Sequence, residues 1–257
     1  MRLRWQWFWL GILAVASLLG FFYQSAGYEQ HLGLRHAGPS WEHWLGTDLL
    51  GRDLFMRLLC GGHVSLCVGI VASAISLSLG TAIGMLSGYV GGRTDRFLIG
   101  CVNAFCALPL TLLTLLFLIF LGNSIWVLCL AIALTEWFTL ARVVRSSTRD
   151  LRNRTFVQSA YALGQSHFRI LCRHIFPHLL PILADYALLL MANAVLLEAF
   201  LSFLGIGVQP PRSSWGNMIV AGVRTLNEHP WQLIWPSLCL LCTLFALTTL
   251  RRDDYSQ

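Results

Sequence analysis

Long apolar runs separated by short polar stretches dominate this sequence. A membrane-spanning helix needs about 20 predominantly apolar residues, and six runs approach or exceed that length. The runs are residues 5–23, 64–90, 97–121, 125–141, 179–204 and 231–250. No soluble domain or long linker is visible between them. The pattern therefore predicts an all-α membrane protein with about six transmembrane helices in a single domain, residues 1–257.

The first run follows Arg2 and Arg4, as the apolar core of a signal peptide would. Its bulky residues, however, extend from 5 to 23, beyond the roughly 7–15 residues that are usual for such a core. Ser25, Ala26 and Gly27 form only a weak cleavage site. We therefore expect an uncleaved membrane anchor.

The composition indicates a membrane protein and excludes ATP hydrolysis at a Walker A site in this chain. Hydrophobic residues make up 56% of the chain and charged residues 12%, against about 25% charged in soluble domains. All 18 basic residues are arginine. Because a Walker A phosphate loop requires lysine, any ATP that drives this protein is expected to be hydrolysed by another chain.

Most of the eight cysteines fall inside apolar runs. Buried cysteine usually behaves as a small hydrophobe. Cys239 and Cys242 form a C-x-x-C pair, but no second pair accompanies it. We therefore expect these cysteines to pack rather than to bind metal or carry redox chemistry.

Arginine is distributed unevenly between alternate loops, which predicts orientation because cytoplasmic loops carry the excess of positive charge. With the N-terminus inside, 13 of the 18 arginines lie in cytoplasmic segments. An even number of spans returns the C-terminus to the same side. The sequence thus predicts a multi-pass membrane protein with both termini in the cytoplasm. Residues 24–60 are then external, and residues 144–178 form a cytoplasmic loop between spans four and five.

The second run carries Ser76, Gly80, Gly84 and Gly88 at intervals of four residues. Small residues on one stripe of a membrane helix allow another helix backbone to approach closely. The stripe predicts tight packing against another span.

The cytoplasmic loop contains the stretch VQSAYALGQSHFRILCRHIFP, residues 157–177. Thr155 and Gln158 fit a capping box at the start of a first short helix. Gly164 suits the left-handed position that ends it. Ser166 is placed to cap a second helix, which Pro177 is expected to stop. The sequence therefore predicts two short helices bent at a glycine.

The second short helix has one apolar face, with Arg169 and Arg173 off it. The face is made by Phe168, Leu171, Cys172 and Ile175, which follow helical spacing. Two interpretations fit such a helix: it lies on the membrane surface beside anionic lipid, or it docks in the groove of a partner protein.

The external segment is polar and rich in turn residues. Its candidate positions are Gly46, Thr47, Asp48, Gly51, Arg52 and Asp53. Thr47 or Asp48 is expected to cap a short helix running to Leu59. Trp41 and Trp44 suit the membrane interface. On this pattern alone, the segment is a surface helix on the outer leaflet.

Glu198 lies inside the fifth run, where a charged group is costly and normally faces the bundle interior or water. Two roles are open for it: a structural one near the outer end of the span, or one lining a translocation path.

The loop of residues 157–177 resembles the cytoplasmic coupling loop, or EAA loop, of ABC-importer permeases. That pattern has Glu-Ala-Ala, a glycine four residues after the second alanine, and an apolar residue two before a proline. Here Gln158 stands for the glutamate and Ser159 for the first alanine. The resemblance implies that the loop fits a groove on a cytoplasmic ATPase subunit. The coupling residues are then Gln158, Ser159, Ala160, Gly164, Phe168, Leu171, Ile175 and Pro177.

Three further stretches resemble the second, C-type permease subunit of the dipeptide, oligopeptide and nickel branch. They are HWLGTDLLGRDLFMRLL (43–59), SGYVGGRTDR (87–96) and LLEAFLSFLGIGVQPPRSSWGNM (196–218). The resemblance covers about residues 40–240. It departs at the short tail, LTTLRRDDYSQ, where that branch usually continues into a Gly-Asp-rich end. In that branch residues 43–59 would meet the binding protein at the external opening of the path.

The resemblance implies a permease subunit of the bacterial inner membrane that imports peptides delivered by an extracytoplasmic binding protein. It also implies a homologous permease partner and two cytoplasmic ATPase subunits, which would bind the ATP and Mg; this chain itself would bind no cofactor and would not be an enzyme. Nickel or another small solute is the alternative cargo, to which His31, His36 and His43 draw attention.

Two other classes fit the sequence less well. A secondary transporter often shows matching broken helices in its two halves, and no such pair is visible. A membrane enzyme is disfavoured because neither H-E-x-x-H nor G-x-S-x-G occurs.

Overall fold

The computed structural model describes residues 11, 15–23, 27–122 and 124–253, with side chains to residue 250. Residues 15–22 are helical. The main helices of the described ranges are α1 (Leu54–Val90), α2 (Gly92–Cys106), α3 (Leu110–Leu121), α4 (Ile125–Arg152), α5 (Thr155–Ala162), α6 (His167–Ile170), α7 (Phe176–Phe203), α8 (Trp215–Arg224) and α9 (Trp231–Asp253). A π-helical turn, Leu171–Ile175, joins α6 to α7. The predicted all-α membrane fold is confirmed.

Four of the described helical stretches are long and apolar enough to cross a membrane, and five if one bent pair is counted as a span. The four are Leu54–Val90, Ile125–Arg152, His167–Phe203 and Trp231–Leu250. Of the first predicted span, residues 5–23, the structure describes only residue 11 and residues 15–23. The count of six therefore stays a prediction.

The third predicted span is not a straight helix. Helices α2 and α3 meet at an angle of 88°, and Pro109 is the N-cap residue of α3. Proline has no backbone N–H and disfavours helical geometry in the residue before it. The apolar run at 97–121 is therefore broken into two helices, which apolarity alone did not predict.

Helices α1 and α4 form the centre of the bundle, and the small-residue stripe of α1 lies at their contact. The Ser76 hydroxyl donates to the Ala133 carbonyl at 3.1 Å. A Cβ atom added to Gly84 would lie 2.7 Å from the Ala141 carbonyl oxygen, too close for any side chain. The predicted close helix packing is confirmed.

The two largest apolar clusters of the described residues lie towards opposite ends of the bundle. The cluster nearer the external segment includes Val68, Ala72, Ile132 and Leu201. The cluster at the opposite end joins the long helices to the loop helices, and its members include Leu140, Val144, Val157, Ala160, Ile170, Ile175 and Leu179. The loop after α4 is therefore part of the core rather than a loose connection.

Helix boundaries differ from those predicted at both ends of the bundle. Helix α1 begins at Leu54, ten residues before the predicted span, so it includes much of the external segment. Helix α4 continues to Arg152, which leaves only residues 153–166 between α4 and α6. Polar residues that ended the apolar runs in the sequence thus extend the same helices beyond the apolar zone.

Candidate functional site

The turn between α5 and α6 has the geometry that the sequence predicts. Gly164 has a φ of +76°, and its N–H donates to the Tyr161 carbonyl at 2.9 Å. The next N–H, of Gln165, donates to the Ala160 carbonyl at 3.2 Å. A left-handed residue just beyond the helix end is usually glycine, so the predicted left-handed conformation of Gly164 is confirmed, while its part in coupling stays a prediction.

The caps of the two loop helices give one correction and one agreement. Arg154, not Thr155, is the N-cap of α5, and it makes no side-chain cap. The predicted capping box is therefore wrong; the Gln158 amide instead donates to the Asn153 carbonyl at 3.3 Å. The cause is a tight turn after α4, in which the Arg154 N–H still donates to Leu151. The predicted Ser166 cap of α6 is confirmed.

Pro177 does not stop a helix, contrary to the sequence prediction. It lies in the first turn of α7, where a missing N–H costs little. The preceding π turn makes this continuation feasible, because the Phe176 N–H donates to Leu171, five residues back. Wider turns of this kind accommodate a proline without ending the helix.

The same π turn changes which side chains of the second loop helix are buried. Ile170 and Ile175 are both fully buried. Phe168, predicted on the same apolar face as Ile175, is instead 77% exposed; Leu171 is half-buried and Cys172 exposed. The predicted face is thus wrong in register, because a five-residue interval replaces the expected intervals of three and four.

The loop presents apolar side chains to its surroundings. Besides Phe168, Leu163 is 81% exposed and Tyr161 63% exposed. Gln158 and Ser159 are exposed beside them, whereas Ala160 is buried. The exposed arginines around this surface are Arg152, Arg154, Arg169 and Arg173. Exposed apolar side chains that lie close together and are surrounded by basic residues are typical of a surface that binds a protein partner. We call this the coupling surface.

A cavity of about 790 Å³ lies beneath the coupling surface, between α1, α5 and α6. At its wall the Tyr89 hydroxyl and the His167 Nδ1 atom are 2.8 Å apart, and the Arg152 guanidinium lies over the Tyr89 ring at 5.7 Å. Tyr89 belongs to α1, so these contacts tie the loop to the longest helix. Sequence reasoning missed both Tyr89 and His167, because their pairing spans 78 residues.

Asp48 does not cap a helix; its carboxylate instead binds several groups of the external segment. The Asp48 carboxylate accepts from the backbone of Leu50 and Arg52 and pairs with the Arg52 and Arg57 guanidiniums. Burial favours the neutral acid, but Arg57 and Arg52 outweigh it and hold the pKa of Asp48 below its ordinary value. Asp53, not Thr47 or Asp48, is the N-cap of α1, which corrects the predicted cap.

Arg57 links the hydrogen bonds around Asp48 to a residue far away in the sequence. It is 5% exposed, and its Nε donates to the Ser213 hydroxyl at 3.1 Å. Gly46 and Gly51 both have positive φ, and a Cβ on Gly51 would overlap the His31 carbonyl. Ser213 belongs to the loop before α8, so the external segment and that loop form one body.

Gln232, at the start of α9, holds the other side of the external segment. Its amide nitrogen donates to the Thr47 carbonyl at 2.9 Å and lies 3.0 Å from His36 Nδ1. His43 pairs with Asp53 at 2.7 Å. These histidines are engaged with the segment itself, and no group of three metal-ligating side chains occurs among the described residues. In the sequence, the only indication of these contacts was that Arg57 and Gln232 are polar residues close to the start of an apolar helix.

Glu198 is fully buried within this chain. Its carboxylate accepts from Ser65 at 2.8 Å and from Ser202 at 2.7 Å, and Ser65 also accepts the Trp215 N–H. The side chain therefore joins α1, α7 and α8. This geometry is that of a structural group; a place on the translocation path stays a prediction.

The described residues thus form a helical bundle with an exposed apolar surface at one end and a segment held by ion pairs and hydrogen bonds at the other. Residues 80–252 match the family described as binding-protein-dependent transport system inner membrane component, and the chain belongs to this family. It is a multi-pass membrane protein.

Individual relatives narrow the similarity within that family. The chain is 37% identical over 237 residues to the oligopeptide transport system permease protein OppC of Haemophilus influenzae, covering 91% of this chain and 76% of that protein. It is 33% identical over 245 residues to the dipeptide transport system permease protein DppC of Bacillus subtilis, covering 95% and 77%. Against OppC of Escherichia coli the identity is 38% over 204 residues, covering 79% and 68%. The resemblance to peptide permeases seen in the sequence is confirmed.

Proposed function

We propose that this chain is a membrane permease subunit of an ATP-driven importer that takes up peptides delivered by an extracytoplasmic binding protein. The observation that carries the proposal is the similarity to OppC and DppC proteins over most of the chain. These relatives are named for oligopeptide and dipeptide transport, so the nickel alternative is not favoured.

The coupling surface supports a cytoplasmic ATPase as the partner that supplies energy. Phe168 and Leu163 project from two short helices whose other faces are anchored by Val157 and Ile170 in the core. A rigidly held apolar projection fits the helix-in-groove mode of recognition. Two such ATPase subunits would bind ATP and Mg, since this sequence contains no phosphate loop.

Movement of the loop would reach the spans through short paths. The Tyr89–His167 contact joins α6 to α1, and the π turn makes α6 continuous with α7. Closure of the ATPase subunits would therefore shift α1 and α7 together as a packed unit. A homologous permease subunit would provide the other half of the path.

The orientation belongs to the same proposal. The coupling surface and both termini lie in the cytoplasm, and the Asp48 network lies outside, where the binding protein would dock. The arginine bias supports this assignment.

Affinity purification tests the assembly. A tagged copy of the full chain, co-expressed with the neighbouring transport genes of its source, should retain a second permease and an ATPase after solubilisation in mild detergent. Purification of the chain as a stable self-associated protein, with neither partner retained, would contradict the proposal.

A further inference from the structure

Two cavities flank Trp126 at the start of α4. One, of about 420 Å³, lies between α1, α4 and the N-terminal helical segment. The other, of about 350 Å³, lies between α4, the end of α3 and the loop at residues 206–212. Ile125, Trp126 and Arg212 line both. The two cavities are therefore adjacent, and we call the point where Arg212 borders both of them the opening; it lies next to Ser213, which bonds to Arg57.

Both cavities combine mainly apolar walls with a few polar side chains. The larger one is walled mainly by aliphatic and aromatic side chains of the membrane helices, among them Val64, Val68 and Val71. Its interior polar groups are His63, Cys67 and Cys129, and His63 already contacts Ser17 and Cys67. The smaller cavity is also mainly apolar, with Leu118, Leu128, Ile206 and Val208 in its wall, and its polar side chains are Ser124, Gln209 and Arg212. The larger cavity, here called the apolar cleft, therefore adjoins a second, smaller cavity, and Arg212 borders both.

Arg212 supplies a positive charge at the opening. Its side chain is exposed, and among the described residues it forms no salt bridge. Burial raises the pKa of the nearby Tyr28, and the charge of Arg212 opposes that rise, so the guanidinium lies within electrostatic reach of the phenol. The opening thus combines an unneutralised cation with a tyrosine hydroxyl.

The surface around the opening suits the membrane interface. Trp126 is 72% exposed, and Ile70 on the adjoining face of α1 is 53% exposed. Tryptophan concentrates where hydrocarbon meets headgroups, and an arginine guanidinium forms charge-assisted hydrogen bonds with a phosphate group. We propose that the two cavities form a binding site for one phospholipid, with the phosphate at Arg212 and an acyl chain in the apolar cleft.

A peptide is a poorer occupant of the cleft. It would bring backbone amide groups into a space walled by valines, and a buried amide without a hydrogen-bond partner is costly. An acyl chain has no such groups, and its phosphate matches the charge at the opening. The proposal rests on the membrane location of this chain and not on which solute it carries.

Photocrosslinking tests the site. The full chain is reconstituted, alone and with its partner subunits, in nanodiscs of phosphatidylcholine and a phosphatidylglycerol that carries a diazirine in its acyl chain. After illumination, mass spectrometry of the digested chain should find lipid adducts enriched at residues 64–71 and 125–129. Arg212→Gln should lower these adducts about fivefold, the loss expected from one basic contact to a lipid surface.

Two further variants keep the test specific. Arg224→Gln removes an exposed arginine of α8 that lines neither cavity, and it should leave the adducts unchanged. Val71→Phe narrows the cleft while keeping Arg212, and it should lower them. Adducts spread evenly over the exposed apolar helices, or insensitive to Arg212→Gln, would overturn the proposal. So would loss of the cleft adducts when the second permease is present, because that subunit would then fill the space.

Discussion

At the scale of single residues, a substitution at Gly164 tests the effect of backbone conformation without an effect of packing. No atom lies within 4 Å of a Cβ placed there, yet its φ is +76°. A β-branched side chain in this conformation costs about 1–2 kcal/mol. We predict that Gly164→Val leaves membrane insertion and permease pairing intact but lowers ATPase co-purification severalfold, because Phe168 and Leu163 no longer project together.

Gly164→Asn is the matched control for that change. Asparagine tolerates the left-handed conformation far better than valine and is of similar size. It should keep ATPase recruitment near that of the unsubstituted chain. Equal, full recruitment by both variants would mean that the bend at Gly164 does not position the coupling surface.

Asp48 is the residue on which the external segment depends most. Asp48→Asn would leave the buried Arg57 without its counter-charge, and breaking a buried pair costs about 3–5 kcal/mol. We predict a large fall in the thermal unfolding temperature of the detergent-purified chain. Asp53→Asn, the same change five residues on, keeps a good N-cap and should cost below about 1 kcal/mol.

The pH dependence of stability follows from the same carboxylate. Because the pKa of folded Asp48 lies below its ordinary value of 3.8, its stabilisation is fully present above that value. It is lost as the pH falls through the folded pKa. The Asp48→Asn variant should lack this acid-dependent contribution in thermal unfolding across that range; an unchanged acid dependence would contradict it.

At the scale of elements, apolar run length predicts where helices are but not where they end. Asp53 caps α1 eleven residues before the apolar run begins, and α4 continues three turns past Ala141 to Arg152. Helices that leave the bilayer keep their backbone hydrogen bonds while their side chains become polar. Hydropathy identifies the residues that lie in the membrane, whereas capping residues and prolines determine where a helix begins and ends.

In the candidate site, too, some features were predictable from the sequence and others were not. Gly164 and Ser166 were predictable because their roles are local, set by φ and by one cap. The burial of Ile170 against exposed Phe168 was not, since it depends on a π turn beside Pro177. Contacts such as Arg57 with Ser213, 156 residues apart, need the tertiary structure.

The contact between α1 and α4 can be tested as an element. In Gly84→Val the new side chain would meet the Ala141 carbonyl and Val144, and overpacking of this kind typically costs about 1–3 kcal/mol. Gly100→Val in α2 is the matched control, because nothing lies within 4 Å of a Cβ there. Thermal unfolding should show a clear loss for Gly84→Val relative to Gly100→Val; equal losses would mean that helix propensity alone is responsible.

At the scale of the whole molecule, the orientation predicts that the two ends of the bundle face opposite compartments. Leu49 is 60% exposed in the external segment and Leu163 is 81% exposed on the coupling surface. In a background without native cysteines, a membrane-impermeant maleimide should label Leu49→Cys only from outside. Leu163→Cys should react only in inverted vesicles. Labelling of both from the same side would rule out the proposed topology.

The most direct measurement is peptide uptake by a defined complex. Proteoliposomes would contain this chain, its companion permease and both ATPase subunits, with the binding protein and a labelled peptide outside and ATP inside. We predict ATP-dependent accumulation that disappears when this chain is omitted, and no ATP hydrolysis by the chain alone. Accumulation without ATP by the isolated chain, or hydrolysis by it, would contradict the assignment of this protein as the permease subunit of an ATP-driven peptide importer.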